Sequence, residues 1–140
     1  MDNIPYLQEM IDKANAVRKN AYAPISNFPV GACIRTSDNK FFVGCNAENA
    51  SFSMTICAES AAVVSMIASG ARQIKDLVVI AEMVEECPPC GACRQRIYEF
   101  SQPDTKIYLC TKEGVLRKTI TIQELLTEPF NVFHVKNLYE

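Results

Sequence analysis

The chain has 140 residues, 49% of them hydrophobic and 21% charged, which is the balance of an ordinary globular domain able to bury a core without disulfides. A formal net charge of -2 and a pI of about 5.5 argue against a strongly basic surface for nucleic acid. Residues 1–10 carry no basic n-region, and the most apolar stretch, residues 61–71, is far shorter than a membrane span. We therefore expect a cytoplasmic protein without a signal peptide or a membrane partner.

The N-terminal half is predicted to form a helix followed by a β-hairpin. Apolar residues spaced three and four apart predict an amphipathic helix from residue 3 to about residue 20. The prolines at 24 and 29 make residues 21–31 a loop. Residues 30–36 and 41–47 are then predicted to be two strands around a turn at 37–40, and residues 48–55 an irregular approach to the next helix.

The C-terminal half is predicted to alternate helices and strands. In chain order it holds a helix at 57–69 stopped by Gly70, a strand at 76–82, a loop at 85–91, a helix from 90 to about 100 and a strand at 105–111. Thr121 and Glu124 have the spacing of a capping box for a short last helix. The chain is thus predicted to be one α/β domain, residues 1–140, with helices on both faces of a mixed sheet.

Seven cysteines are an odd number and a high count for this length. In a chain that can fold without disulfides and has no export signal, clustered cysteines more often bind metal or take part in catalysis. Cys33, Cys45 and Cys110 stand alone in predicted strands, so we expect them to be small buried hydrophobic residues.

The remaining cysteines lie at the starts of two predicted helices. Cys90 and Cys93 are three residues apart, which places them on one helix face, and Cys57 opens the other helix. Helix N-termini stabilise thiolates, and three protein ligands with one open position are typical of catalytic zinc. Cys87 as a fourth ligand would instead make a closed structural site, but Pro88 and Pro89 are expected to hold it off the helix face. An iron–sulfur cluster is disfavoured, because the ferredoxin pattern requires a fourth cysteine four positions after Cys93, and that position is Ile97.

Glu59 follows Cys57 by two residues, so one helical turn carries a candidate ligand and a carboxylate. Such a carboxylate can take a proton from a water that zinc has activated and pass it on. The alternative is a glutamate that only favours the helix N-terminus electrostatically. The neighbouring cysteines favour the catalytic role.

These motifs resemble those of the zinc-dependent cytidine deaminase family. Its signature is H-x-E…P-C-x-x-C, and this chain has Cys-Ala-Glu at 57–59 and Pro-Cys-Gly-Ala-Cys at 89–93, the all-cysteine variant of small homotetrameric members. The segments YAPISNFPVGA, NAENASF, TICAE and PCGACRQ also resemble family segments in order and spacing. The resemblance covers roughly residues 5–130 and implies a three-layer α/β/α fold with a mixed five-stranded sheet.

The resemblance also implies a role for each matching residue. Cys57, Cys90 and Cys93 would bind Zn²⁺, and Glu59 would be the proton shuttle. The implied substrate contacts are Phe28 on the pyrimidine ring, Asn46 and Glu48 on the ribose hydroxyls, Phe52 in a neighbouring subunit's site, and Phe130 near the pocket. The position of Phe52 is often tyrosine in the family, so any hydroxyl contact there is lost.

The implied reaction is hydrolytic deamination of cytidine and deoxycytidine to uridine and deoxyuridine, with release of ammonia, in a homotetramer. A related deaminase acting on another aminopyrimidine, such as blasticidin S, is the nearest alternative, and the Asn-x-Glu at 46–48 favours a nucleoside. A polynucleotide-editing deaminase is disfavoured by the acidic pI. The non-enzymatic alternative is a zinc-stabilised binding module with Cys87 as fourth ligand.

One position departs from the family pattern. Many tetrameric members have arginine directly after the catalytic glutamate, where this chain has Ser60. In the family that arginine and the one after the last cysteine, here Arg94, help to offset the charge of three thiolates. Arg96 lies three residues beyond Cys93 on the same predicted helix, so we expect it to compensate, by direct contact or through its field.

Overall fold

A computed structural model describes residues 4–82 and 87–131, which form a single five-stranded sheet with helices on both faces. The helices are α1 (Leu7–Arg18), α2 (Ala58–Ala68), α3 (Gly91–Glu99) and α4 (Ile122–Leu125). The strands are β1 (Val30–Thr36), β2 (Phe41–Cys45), β3 (Ile74–Ala81), β4 (Ser101–Thr111) and β5 (Leu116–Thr121). A 3-10 turn at Phe52–Met54 precedes α2.

The sheet is mixed, with the strand order β2-β1-β3-β4-β5. The central pair, β3 and β4, is parallel, and the other neighbours are antiparallel. Parallel neighbours need a crossover connection, and here α3 is the helix of that crossover. The start of α3 lies near the C-terminal end of β3, since Val79 and Cys90 line the same cavity.

Apolar side chains of β3 point to both faces of the sheet, as expected of a strand that is covered on both faces. Leu77 and Val79 pack in the core beneath α2 and α3, whereas Val78 and Ile80 pack in the core beneath α1. The continuous apolar run of the sequence is explained by this double burial, and the prediction of helices on both faces is confirmed.

Gly44 lets α2 lie directly on the backbone of β2. A Cβ atom at this position would lie 2.3 Å from the backbone nitrogen of Ala62 and 2.5 Å from the carbonyl oxygen of Ala58. Only glycine allows such a close approach of two backbones. The contact fixes the N-terminal half of α2, which carries the residues of the candidate site, over the sheet.

Several predicted bounds need correction. Helix α1 begins at Leu7 rather than residue 3, because Tyr6 is left-handed with φ 63°. Strand β5 was not predicted from the sequence pattern, and β4 begins at Ser101 rather than residue 105. Cys33 and Cys110 are buried as expected, but the expectation for Cys45 was wrong: it ends the edge strand β2 and is only half-buried.

The helices of the described segments, 4–82 and 87–131, are each too short or too polar to cross a membrane. Part of the predicted loop at 85–91 lies outside the described residues. The capping box predicted for the last helix is present, since the Thr121 hydroxyl accepts from the backbone N–H of Glu124 and the Glu124 carboxylate accepts from that of Thr121.

Candidate active site

Three thiols meet where α2 and α3 begin. Cys57 is the N-cap of α2, Cys90 is the N-cap of α3, and Cys93 lies in the first turn of α3. Their sulfur atoms all lie within 4.8 Å of one another, and the sulfurs of Cys57 and Cys90 are 3.6 Å apart. The convergence of the two helix starts that the sequence suggested is therefore present.

The donor set fits zinc. Tetrahedral zinc with Zn–S bonds of about 2.3 Å holds its sulfurs about 3.8 Å apart. The separation of 3.6 Å between Cys57 and Cys90 is close to that value. Three sulfur ligands leave one tetrahedral position open for water or substrate, which is the arrangement of catalytic rather than structural zinc.

The three thiols differ in their electrostatic surroundings. Burial raises the pKa of Cys93, which is 0% exposed, and the negative charge of Glu59 raises it further. Burial also raises the pKa of Cys57. Burial raises the pKa of Cys90 too, but the backbone N–H of Cys93 and the neighbouring thiols lower it by more, so the net shift is downward. The exposed Cys90 is thus the easiest of the three to deprotonate.

Glu59 is a buried carboxyl group in the first turn of α2, only 5% exposed. Burial raises its pKa, while its own backbone N–H and the Cys93 thiol act in the opposite direction. A carboxyl group with a raised pKa gains and loses a proton more readily near neutral pH than an exposed one. This is the property that a proton-transfer group needs.

A cavity of about 300 Å³ opens beside these residues. That volume lies at the small end of the range for ligand pockets and suits a compact ligand. The lining residues are Ser26, Phe28, Val30, Asn46, Glu48, Thr55, Ile56, Cys57, Ala58, Glu59, Val79, Cys87, Pro88 and Cys90. Six of the nine residues given site roles from the sequence are in this lining, and they come from four separate segments of the chain.

Asn46 braces the loop that carries Phe28. Its side-chain oxygen accepts from the backbone N–H of Val30 at 2.8 Å, and its side-chain nitrogen donates to the carbonyl oxygen of Phe28 at 3.0 Å. The sequence predicted only a ribose contact for this residue. The structure shows a contact that the sequence did not predict, since Asn46 holds the backbone of Phe28 and Val30 in place.

Glu48 holds the same loop at another point. One carboxylate oxygen accepts from the backbone N–H groups of Ile25 at 2.9 Å and Ser26 at 3.1 Å. The hydroxyl and backbone N–H of Ser26 lower the pKa of Glu48, so the group stays ionised. A carboxylate fixed in this way can accept hydrogen bonds from a polar ligand without losing further side-chain freedom.

Two predicted substrate residues lie outside the cavity of their own chain. Phe52 is 73% exposed and Phe130 is 66% exposed, and neither lines the cavity. Phe130 is nevertheless held in place, because the side chain of Gln95 both donates to its carbonyl oxygen at 2.8 Å and accepts from its N–H at 3.1 Å. Phe130 is therefore not part of the cavity lining of its own chain.

Cys87 lines the cavity but does not belong to the sulfur cluster formed by the described residues. Burial raises the pKa of its thiol, and the charge of Glu59 adds to this. The placement agrees with the expectation that Pro88 and Pro89 hold Cys87 off the helix face.

The two arginines of α3, Arg94 and Arg96, have different partners. Arg94 donates to the carbonyl oxygens of Pro89 at 2.9 Å and Leu125 at 2.8 Å, so it ties backbone segments together. Arg96 instead donates to the hydroxyl oxygen of Ser60 at 3.1 Å, and that oxygen lies 3.1 Å from the sulfur of Cys93. Ser60 was regarded as the loss of an arginine, yet it contacts a candidate ligand directly. The sequence signal that could have predicted a contact of Ser60 with the cluster is its position three residues after Cys57.

Comparison with known protein families decides the assignment. The family model for the cytidine and deoxycytidylate deaminase zinc-binding region matches residues 5–110. The chain belongs to this deaminase family. The match spans the three cysteines and Glu59, so the resemblance inferred from the motifs is confirmed, and zinc is the cofactor that both the family and the sulfur cluster fit.

Relatives in this family are similar to this chain in sequence or in structure along most of their length. A cytidine deaminase of Sporosarcina psychrophila is 38% identical over 125 residues, covering 89% of this chain and 91% of the relative. A cytidine deaminase of Halalkalibacterium halodurans is 40% identical over 123 residues, covering 88% and 92%. The crystal structure of cytidine deaminase from Burkholderia pseudomallei has a TM-score of 0.83 at 38% identity and covers 93% of this chain and 100% of its own. The deaminase fold predicted from the resemblance is confirmed.

Proposed function

We propose that this chain is a zinc-dependent cytidine deaminase that hydrolyses cytidine and deoxycytidine to uridine and deoxyuridine with release of ammonia, a reaction of pyrimidine salvage. One observation carries the proposal: a buried carboxyl group, Glu59, and two of the three cluster thiols, Cys57 and Cys90, line one small cavity together with an aromatic ring and two polar side chains. Family membership and the names of the relatives support the same activity.

Cys57, Cys90 and Cys93 would hold the zinc ion. Bound there, zinc supplies a Lewis acid that makes water a competent nucleophile near neutral pH. The protein's part is to keep one coordination position open toward the cavity, and the lining of that cavity includes Cys57 and Cys90.

Glu59 moves the protons of the reaction. Hydrolysis adds the oxygen of water to C4 of the pyrimidine and breaks the bond from C4 to the exocyclic nitrogen. The carboxylate of Glu59 takes one proton from the attacking water and delivers it to N3 of the ring. It then takes the second proton of that water, now on the C4 hydroxyl, and passes it to the departing nitrogen, which leaves as ammonia while C4 keeps the oxygen as a carbonyl. Its burial supports this role, since it raises the pKa and keeps bulk water away from the carboxyl group.

Phe28, Asn46 and Glu48 orient the nucleoside. The ring of Phe28 offers an apolar face to the pyrimidine, and offset stacking of aromatic rings is favourable. The amide of Asn46 has one further N–H and one further lone pair beyond its two loop contacts, and the Glu48 carboxylate has spare acceptor capacity. Both groups are pre-positioned to hydrogen-bond the ribose hydroxyls.

The active enzyme is proposed to be a homotetramer in which Phe52, and also Phe130, serve a neighbouring subunit's cavity. Both rings are exposed and absent from the cavity of their own chain. Met54, Ile56 and Val64 add exposed apolar side chains near the start of α2 and along it. Exposed apolar surface of this kind favours burial against another subunit.

The proposed location is the cytoplasm. All seven cysteines are free thiols, and the metal cluster needs three of them reduced. Reducing compartments keep thiols in that state.

Ammonia release from a panel of substrates tests the function. The zinc-loaded protein should release ammonia from cytidine and deoxycytidine, with loss of the cytosine absorbance band, and far less from blasticidin S or from cytosine in single-stranded DNA. A preference for blasticidin S or DNA would replace the proposed substrate class. Zinc binding without ammonia from any of them would make the chain a zinc-stabilised binding module.

A further inference from the structure

Ser60 joins an arginine to the sulfur cluster. It is 4% exposed on α2, and its hydroxyl oxygen lies 3.1 Å from Cys93 Sγ on α3. The same oxygen accepts a hydrogen bond from Nη1 of Arg96 at 3.1 Å. A buried hydroxyl therefore stands between a permanent positive charge and a candidate zinc ligand.

The chemistry of the three groups sets the direction of both hydrogen bonds. Guanidinium has only donors, so Arg96 occupies a lone pair of the Ser60 oxygen. A thiolate has no proton and can only accept. In the metal-bound state the hydroxyl of Ser60 must therefore donate to Cys93, and the two bonds run the same way, from guanidinium through hydroxyl to sulfur. Hydrogen bonds aligned in this manner polarise and strengthen one another.

Cys93 has particular need of such a donor. It is 0% exposed, so water does not reach its sulfur as it reaches that of the exposed Cys90. Three thiolates and one divalent zinc ion leave a formal charge of about -1 at the centre. Arg94 is engaged with the carbonyl oxygens of Pro89 and Leu125. Within the described segments, Arg96 is the arginine whose hydrogen bond connects, through the hydroxyl of Ser60, to a ligand sulfur.

We propose that Arg96 and Ser60 form a relay that stabilises the thiolate of Cys93 and thereby strengthens zinc binding. Arg96 is a positioning and charge-balancing residue that acts through Ser60 without touching zinc or substrate. The proposal rests on the zinc centre of the proposed function but not on its substrate. Partners that hydrogen-bond to metal ligands typically change metal affinity by about 10–100-fold, and an effect in that range is expected here.

The competing explanation is that the hydrogen bonds of Ser60 and Arg96 only hold α2 and α3 together. In that case they would stabilise the fold equally with and without metal, whereas the relay stabilises the charged, metal-bound sulfur of Cys93. Three measurements at one fixed pH separate them: the zinc dissociation constant by competition with a chelator, the near-ultraviolet thiolate-to-metal charge-transfer bands of the Co²⁺-substituted protein, and the unfolding free energy of the metal-free protein.

The variants are Ser60→Ala, Arg96→Ala, the double variant and Arg96→Lys. Arg96 is an exposed residue, so its replacement should leave a folded protein. Arg72→Ala is the matched control, because it removes the same charge from an exposed arginine. Within the described segments, the hydrogen bonds of Arg72 go to the carbonyl oxygens of Ile67 and Ala71, at the far end of α2 from Cys57.

The relay predicts that Ser60→Ala and Arg96→Ala each raise the zinc dissociation constant by about 10-fold or more. The double variant should be little worse than either single one, because both break the same chain of bonds. Both should move the Co²⁺ charge-transfer bands to longer wavelength, as the sulfur loses stabilisation. Arg96→Lys should recover part of the affinity, and Arg72→Ala should match the wild type.

Three outcomes overturn the proposal: Arg96→Ala binding zinc as tightly as Arg72→Ala, additive effects in the double variant, or unchanged Co²⁺ bands with an equal loss of metal-free stability. Because no substrate enters these measurements, a failure of the relay and a failure to deaminate cytidine are recognised separately.

Discussion

The sulfur atoms of Cys57 and Cys90 lie 3.6 Å apart, although 33 residues separate the two cysteines in the sequence. Each is the N-cap of a helix, so the positive ends of α2 and α3 point at the same place. Like-charged thiolates held this closely repel each other unless a cation lies between them, which ties the folded arrangement of the two helices to zinc.

Removal of any cluster thiol should therefore release the metal. We expect Cys57→Ala, Cys90→Ala and Cys93→Ala each to lose the single zinc per chain, as measured by metal analysis after dialysis, and to unfold at lower temperature. Cys87→Ala is the control from the same cavity and should keep its zinc. Zinc loss in Cys87→Ala would instead indicate a four-cysteine structural site.

Gly44→Ala should destabilise the fold. The added methyl group would meet the backbone of Ala62 and Ala58 at 2.3 and 2.5 Å, and neither backbone can move without shifting α2. Overpacking of this kind costs about 1–3 kcal/mol, measurable by chemical denaturation of the zinc-loaded protein. Gly91→Ala is the matched control, since its Cβ would meet nothing within 4 Å. Equal unfolding free energies for the two variants would refute the close-approach argument.

Phe52 is expected to act in a neighbouring subunit. Phe52→Ala should raise the KM for cytidine while each chain keeps its zinc, because the ring is absent from its own cavity. Co-assembly of Phe52→Ala with Glu59→Gln chains should regain activity, because an intact cavity can then receive Phe52 from the other chain type. An active monomer in analytical ultracentrifugation at micromolar concentration, or no regain in mixed assemblies, would argue against shared sites.

Alkaline pH should weaken the fold through Tyr108. Its hydroxyl donates to Asp76 at 3.3 Å, and burial, with the negative charge of Asp76, raises the pKa of Tyr108 from 10.0 to about 12. Arg35, paired with Asp76, opposes the shift in part. The folded state thus holds this proton more tightly than the unfolded state, so the contribution is fully present below pH 10 and is lost as pH rises toward 12.

Denaturation curves of the wild type and Tyr108→Phe between pH 9 and 12 measure this effect. The unfolding free energy of Tyr108→Phe should fall less steeply with pH, because the titrating hydroxyl is gone. The thiols of Cys33 and Cys110 are buried on the same side of the sheet, with pKa values raised to about 12 and about 11, so a shallower decline remains in the variant. Parallel curves would show that Tyr108 is not involved.

The helices that carry the site were predictable because their ends are marked locally. The sequence placed α2 and α3 within one residue at each end, since Cys57, Gly70 and Cys90 mark helix starts and stops. Strand β5 was missed because it is an edge strand whose central residues are exposed and polar, so the usual apolar alternation is weak.

Contacts between distant segments could not be predicted in the same way. The brace from Asn46 to Phe28 and Val30 depends on the path of a loop, and the link from Arg96 to Ser60 depends on how two helices cross. The brace leaves no periodic pattern in the sequence, and the spacing of three between Cys93 and Arg96 predicted that Arg96 compensates at the cluster but not that it does so through Ser60. Phe52 and Phe130 are exposed in the single chain, and a sequence pattern does not show whether another chain covers such residues.

Cytidine turnover by Glu59→Gln tests the central claim most directly. The change replaces a buried carboxyl group with an amide of nearly the same shape, so the variant should fold and retain one zinc per chain. General acid–base groups typically contribute about 10²–10⁴-fold to rate, and Glu59 serves several proton transfers, so we expect kcat to fall by at least that much with zinc content unchanged. A folded, zinc-loaded Glu59→Gln protein that keeps more than about a tenth of the wild-type rate would contradict the account.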